Sequence, residues 1–124
     1  MEILTETVRG RLVVTVFGEL DLVSAPAFRA RLYQEIDLGA RSFVVDLTGV
    51  DFIDSTALGA LVGALKRARE SGGEIALTCP HERLLSVFRI TALDRVFALR
   101  PTLSEAVDAL DPVRSQTMST TVNP

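Results

Sequence analysis

The sequence has few of the side chains on which most catalytic and metal sites depend. Its 124 residues include one cysteine, one histidine and no tryptophan. With Cys79 alone no internal disulfide can form, which fits a reducing compartment. Cys79 and His81 stand two residues apart, and no third group is evident that would orient the histidine as a base. The sequence therefore does not predict nucleophilic catalysis.

Long apolar runs and an excess of positive charge are also missing. No stretch approaches the roughly 20 apolar residues of a membrane helix, and the N-terminal segment lacks the basic start and apolar run of a signal peptide. The net charge of −3 argues against nucleic acid as a partner. We therefore expect a cytoplasmic globular protein that binds neither membrane nor nucleic acid.

Segments typical of strands alternate with segments typical of helices. Arg9 and Gly10 supply a turn between the first two strands, which predicts an antiparallel hairpin. The later alternation requires right-handed crossovers and a largely parallel core. We predict an α/β single domain with a mixed sheet of about five strands and about four helices. The predicted strands are 2–8, 11–17, 42–47, 74–79 and 95–99, and the predicted helices are 24–39, 55–71, 80–90 and 102–110.

The pattern also predicts where the domain ends and which side chains cap its helices. Residues 1–110 form the predicted domain, and residues 111–124 lack any apolar period, which predicts a disordered tail. Residues 18–24 are expected to form a loop in which Ser24 caps the first helix. Thr102 and Glu105 have the spacing of a capping box for the last helix.

Three aspartates, Asp46, Asp51 and Asp54, precede two hydroxyls, Ser55 and Thr56, where a buried strand gives way to a helix. The aspartate spacing matches no calcium loop. We expect Asp46 to end the strand and Asp51 to form a turn. No glycine-rich phosphate loop is present, so neither a resident metal nor a cofactor is expected.

A helix cap and a modification site both remain open for this segment. Asp54 or Ser55 can accept a hydrogen bond from the free N–H groups of the first helical turn. Capping explains one of these side chains but not two consecutive hydroxyls beside an acidic loop. A helix that starts just after a buried strand also presents such hydroxyls at the edge of the sheet, within reach of partners.

Two short motifs carry a resemblance to a known family. The sequence GELD spans Gly18–Asp21 and DSTALG spans Asp54–Gly59, and a helix with the sequence SEA closes the pattern. Together they resemble the STAS domain, and within that superfamily the bacterial anti-sigma factor antagonists. The resemblance covers residues 2–110 and implies a regulatory binding protein that is not an enzyme.

The resemblance implies a role for each matching residue. Ser55 would be the phosphorylated serine and Thr56 its neighbour, with Asp21 and Asp54 flanking the site and Gly59 completing the partner-binding surface. The implied partner is an anti-sigma factor with serine kinase activity. It would bind the unphosphorylated protein, release a sigma factor and later phosphorylate Ser55, which would break the complex.

The same resemblance implies a metal-dependent serine phosphatase that restores the hydroxyl. It leaves open a monomer or a weak homodimer. Many relatives have glycine where this chain has Ala57, and a methyl group there is a candidate obstacle to a kinase.

Two other functions compete with this interpretation. One is a STAS module that is never phosphorylated and acts as a scaffold or a small-ligand sensor. The other is a small enzyme that uses the carboxylate cluster, which we rank last because no base, metal set or cofactor loop is visible.

Overall fold

The computed structural model describes residues 1–111 and places five strands and four α-helices in them. A short 3₁₀ helix, Leu93–Arg95, was not predicted. It overlaps the start of the predicted strand 95–99, which is wrong at that end because the observed strand begins at Ala98. In chain order the elements are β1 (Glu2–Val8), β2 (Arg11–Leu20), α1 (Ala25–Asp37), β3 (Phe43–Ile53), α2 (Ser55–Glu70), β4 (Ile75–Thr78), α3 (Glu82–Ile90), β5 (Ala98–Arg100) and α4 (Leu103–Ala109).

The five strands form one sheet whose order follows the chain, β1-β2-β3-β4-β5. β1 and β2 pair antiparallel, while the β2–β3, β3–β4 and β4–β5 pairs are parallel. The mixed α/β sheet predicted from the alternating pattern is therefore confirmed. Because β2, β3 and β4 run in the same direction, the segments that follow them all leave at one edge of the sheet.

The two faces of the sheet are covered unequally. The larger core contains buried side chains of α1, α2 and α3, such as Phe28, Leu61 and Phe88. The smaller one contains Val44 and Val107 and is covered by α4. Successive strand residues point to opposite faces, so two cores explain why the middle strands are apolar without interruption.

β2 and β3 are longer than the sequence pattern predicted. β2 continues through Leu20, so GELD begins inside a strand and only Asp21 lies outside it. β3 continues to Ile53. The expectations that Asp46 ends this strand and that Asp51 makes a turn are therefore wrong. The parallel β2–β3 pairing continues to Leu20 and Ile53 despite two register shifts. This pairing holds Asp46 and Asp51 in extended conformation.

Two glycines allow this extension although glycine usually weakens a strand. Gly18 has φ of +99°, a value that residues with a Cβ rarely adopt. A Cβ at Gly49 would lie 2.5 Å from a ring carbon of Phe17. The glycines therefore accommodate an irregular ladder and a neighbouring ring, and they do not end the strands.

At the C-terminal end, the Thr102 hydroxyl accepts a hydrogen bond from the Glu105 backbone N–H, as the capping-box pattern predicts. The predicted tail, 111–124, lies outside the described residues apart from Asp111. Among residues 1–111, no helix combines the length and apolar character needed to cross a bilayer.

Candidate functional site

The junction of β3 and α2 carries the predicted serine. Asp54 is the N-cap of α2, and its Oδ1 accepts the Ala57 backbone N–H at 3.1 Å. Ser55 and Thr56 are the first two residues of the helix, and both are exposed. Within residues 1–111 the Ser55 hydroxyl makes no hydrogen bond. Asp54 therefore performs the capping, and the hydroxyl of Ser55 faces solvent unengaged.

The second carboxylate oxygen of Asp54 binds a different part of the chain. Oδ2 accepts the backbone N–H of Leu22 at 2.9 Å. The backbone N–H of Asp54 in turn donates to the Leu20 carbonyl at 3.0 Å. The carboxylate thus ties the loop between β2 and α1 to the first turn of α2.

That loop, residues 21–24, is also fixed by Asp21. Asp21 Oδ1 accepts the backbone N–H groups of Val23 and Ser24 at 3.1 and 3.0 Å. The Ser24 backbone N–H, opposed by partial burial and assisted by the Ser24 hydroxyl, holds the pKa of Asp21 below its ordinary value. Asp21 therefore stabilises the loop as a carboxylate, with its hydrogen bonds directed within the loop.

Ser24 stands at the N-cap position of α1, as expected, but its hydroxyl does not bond to the helix. The hydroxyl instead accepts the Asp21 N–H at 3.0 Å and donates to the Glu19 carbonyl at 2.8 Å. The Ser24 hydroxyl bonds within the loop because the side chains of Asp21 and Ser24 each accept the other residue's backbone N–H.

Two exposed aliphatic residues in this loop, Leu22 and Val23, are absent from the sequence-based site prediction. A signal for them exists in the sequence, where two adjacent aliphatic residues stand between the polar Asp21 and Ser24. Such residues are unusual at an exposed turn, where Gly, Pro, Asn, Asp and Ser dominate.

A shallow groove runs between α1 and α2 beside the serine. Thr56 and Gly59, both predicted site residues, lie on its α2 side, and the exposed Arg29, which the sequence analysis missed, lies on the α1 side. Space beside Gly59 is open, with no atom within 4 Å of where a Cβ would stand. The complete lining is Ala25, Pro26, Arg29, Thr56, Gly59 and Ala60.

Ala57 does not narrow access to Ser55. Its side chain is fully buried and belongs to the larger core. The methyl group points away from any protein that approaches the helix start, which removes the obstacle considered from the sequence.

The remaining polar candidates do not assemble a reactive centre. Asp46 Oδ1 accepts both the N–H and the hydroxyl of Thr48. Cys79 is buried, and burial raises the pKa of its thiol, while the His81 ring contacts the Thr48 carbonyl. Across residues 1–111 no three histidine, cysteine, aspartate or glutamate side chains converge in a way that would hold a metal ion.

Comparison with known proteins shows to which family this chain is similar. The model of the STAS domain matches residues 2–106. An anti-sigma-B factor antagonist of Bacillus subtilis is 39% identical over 80 residues, which are 64% of this chain and 72% of the relative. The crystal structure of an anti-sigma factor antagonist from Mycobacterium paratuberculosis is 32% identical with a TM-score of 0.74, covering 88% of this chain and 92% of that one.

A third similar protein has been solved in two chemical states. Structures of the Bacillus cell fate determinant SpoIIAA in unphosphorylated and phosphorylated form are each 25% identical to this chain. Their TM-scores are 0.66 and 0.67, and they cover 91% and 89% of this chain and 98% and 100% of their own. Both states of that protein therefore share the fold described here.

Proposed function

The chain belongs to the STAS domain family of anti-sigma factor antagonists, and we propose that it is a binding protein controlled by phosphorylation of Ser55. In its unphosphorylated form it binds an anti-sigma factor that is also a serine kinase, and so frees a sigma factor. Transfer of a phosphoryl group from ATP to Ser55 ends the complex, and a metal-dependent serine phosphatase restores the hydroxyl.

One observation carries this proposal: the exposed Ser55 hydroxyl makes no hydrogen bond within residues 1–111, while its neighbour Asp54 caps the helix. A serine that capped the helix would lose its bond on modification, at a cost of about 1 kcal/mol. Here phosphorylation removes no existing contact. Ser55 can therefore be modified without loss of a hydrogen bond that stabilises the helix.

The phosphate is expected to leave the fold nearly unchanged. It adds about −1.5 to −2 charges at pH 7. The positive end of the α2 dipole favours an anion at this position by about 0.3–1 kcal/mol, and the neighbouring Asp54 carboxylate opposes it by repulsion of like charges. These terms are similar in size and opposite in sign.

A docked partner experiences the phosphate differently. A dianion enclosed in an interface loses its hydration, and an unmatched buried charge costs several kcal/mol. Each 1.4 kcal/mol is about a tenfold change in affinity. Charge placement at the contact surface is therefore sufficient to release the partner, with no change of shape in the core.

The proposed cycle also implies a compartment and a functional unit. The kinase, ATP and the sigma factor operate in the cytoplasm, and the chain itself supplies no catalytic group. We propose residues 1–110 as the functional unit, as a monomer or a weak homodimer, because the proposed switch needs one exposed serine in each chain.

Incubation with ATP and a purified anti-sigma factor kinase of the source organism tests the proposal. We expect a mass increase of one phosphoryl group in the wild type and in Thr56→Ala, and no increase in Ser55→Ala. Binding of the kinase without any phosphoryl transfer would contradict the proposal and favour an unphosphorylated STAS scaffold.

A further inference from the structure

Apolar side chains are exposed close to the phosphorylation site. Leu22 is 68% and Val23 87% exposed, and Phe52, two residues before Asp54, is 50% exposed. These are three of the eight large apolar side chains that residues 1–111 expose strongly. Leu22 and Val23 are neighbours in the loop, and adjacent exposed apolar side chains mark contact sites more often than isolated ones do. Phe52 instead lines a separate groove beside α3.

The backbone beneath Leu22 and Val23 is held firmly. Their two N–H groups are bound by the carboxylates of Asp54 and Asp21, at 2.9 and 3.1 Å. The next residue, Ser24, is bound to both Asp21 and Glu19. A loop that exposes aliphatic side chains on a fixed backbone is preorganised for binding, because little conformational entropy remains to be lost.

Asp54 connects this loop to the serine. The same carboxylate that accepts the Leu22 N–H accepts the Ala57 N–H in the first turn of α2. The position of Leu22 relative to Ser55 is therefore fixed by one side chain. A partner that covers Ser55 meets the loop in the same orientation each time.

We infer that Leu22 and Val23 form an apolar anchor for the kinase-type anti-sigma factor, and that Asp54 is the positioning residue that aligns this anchor with Ser55. The inference rests on the proposed function and names a second contact in the same interface. The occupant is an apolar pocket of the anti-sigma factor, since the anchor presents two aliphatic side chains on the surface that continues from Ser55. Phosphorylation of Ser55 then controls release of the partner, and the apolar anchor contributes to binding affinity.

The anchor is tested with a matched pair of leucines. Leu38 is 75% exposed, but it follows the C-terminal end of α1, at the opposite end of that helix from the loop. Binding is measured with the purified kinase that phosphorylates the wild-type chain, in the presence of ADP. We expect Leu22→Ala to raise Kd about tenfold, which corresponds to about 1.4 kcal/mol, and Leu38→Ala to leave Kd unchanged.

The positioning role is tested with Asp54→Ser. Serine caps a helix about as well as aspartate, but its shorter side chain does not reach the Leu22 N–H. We expect faster amide hydrogen exchange at Leu22 and a Kd raised at least fivefold, with a melting temperature close to that of the wild type. Unchanged exchange at Leu22 together with unchanged Kd would overturn the positioning role.

Three results would overturn the anchor. Equal affinities of Leu22→Ala and Leu38→Ala would do so while leaving phosphorylation of Ser55 intact. Loss of self-association in Leu22→Ala, seen by sedimentation with no change in kinase affinity, would assign the anchor to a second copy of the chain. Absence of any kinase binding by the wild type would overturn the proposed function and the anchor together.

Discussion

At Asp54 a single carboxylate serves two elements, and this arrangement explains why Ser55 is free. One oxygen caps α2 through Ala57 and the other holds the loop through Leu22. A charged acceptor is about twice as strong as a neutral one in such bonds. The serine that follows therefore does not cap the helix, and its side chain is exposed.

Thr78 provides a test of the core at the level of one residue. Its hydroxyl oxygen is buried in β4 and has no hydrogen-bond partner within residues 1–111. An unsatisfied buried polar atom costs about 1–3 kcal/mol, and valine has nearly the same shape as threonine. We expect Thr78→Val to raise the free energy of unfolding by about 1 kcal/mol in urea titrations. A loss of stability of similar size would show that the hydroxyl is satisfied in solution.

Single residues differ in how well the sequence predicts them. Asp54 and Ser55 were found because a polar cap followed by hydroxyls stands directly before a helical apolar period. The local pattern left the cap open between these two, and the structure assigns it to Asp54. The N-cap position of Ser24 is predictable from the sequence, but the bonds of its hydroxyl to Asp21 and Glu19 depend on the loop conformation.

Among the elements, α2 is built to lie close to the sheet. Its buried side includes a stripe of alanines, Ala57, Ala60, Ala64 and Ala68, beside Leu58, Leu61 and Leu65. Small side chains allow a helix to approach its neighbours closely, and close packing leaves little room for the helix to shift. The first turn, with Ser55, is therefore presented at a fixed position.

A further prediction concerns the stability effect of replacing Gly59, a glycine of α2. Gly59 lies in the helix interior, and a Cβ there would meet no atom within 4 Å. Glycine in a helix costs about 0.5–1 kcal/mol relative to alanine. We expect Gly59→Ala to raise the free energy of unfolding by that amount and to weaken kinase binding, because the methyl group enters the groove.

Gly73→Ala is the opposing control for this prediction. A Cβ at Gly73 would stand 1.6 Å from the Arg41 carbonyl oxygen, so the backbone would have to move. We expect a marked loss of stability in the same urea titration. A destabilised Gly59→Ala, or kinase binding as tight as in the wild type, would contradict the assignment of Gly59 to an open binding groove.

Element types were predictable from the sequence, whereas the bounds of β2, β3 and β5 were not. Apolar/polar alternation identified the first two strands, short apolar runs identified the later ones, and helical spacing of apolar residues identified the four α-helices of residues 1–111. The predicted lengths of β2 and β3 are too short because Gly18, Asp46 and Asp51 are of types that favour loops and strand ends. Their extended conformation is imposed by pairing between the two strands, a tertiary effect that a one-dimensional pattern does not contain.

For the whole molecule, the parallel sheet brings the proposed functional residues to one edge. The loop after β2 and the helix start after β3 both leave at the carboxyl ends of neighbouring parallel strands. Ligand and partner sites of α/β folds recur at this edge. Ser55, Leu22 and the groove beside Gly59 are therefore on one surface, although up to 37 positions separate them in the chain.

The central claim is that one phosphoryl group on Ser55 decides whether the partner stays bound, with the fold left intact. The direct measurement is calorimetric titration of the kinase with the unmodified chain and with the chain phosphorylated at Ser55, alongside thermal unfolding of both forms. We predict that phosphorylation weakens binding at least a hundredfold, about 2.7 kcal/mol, while Ser55→Ala binds like the unmodified chain and the melting temperature hardly moves. Equal affinities for the two forms would contradict the account.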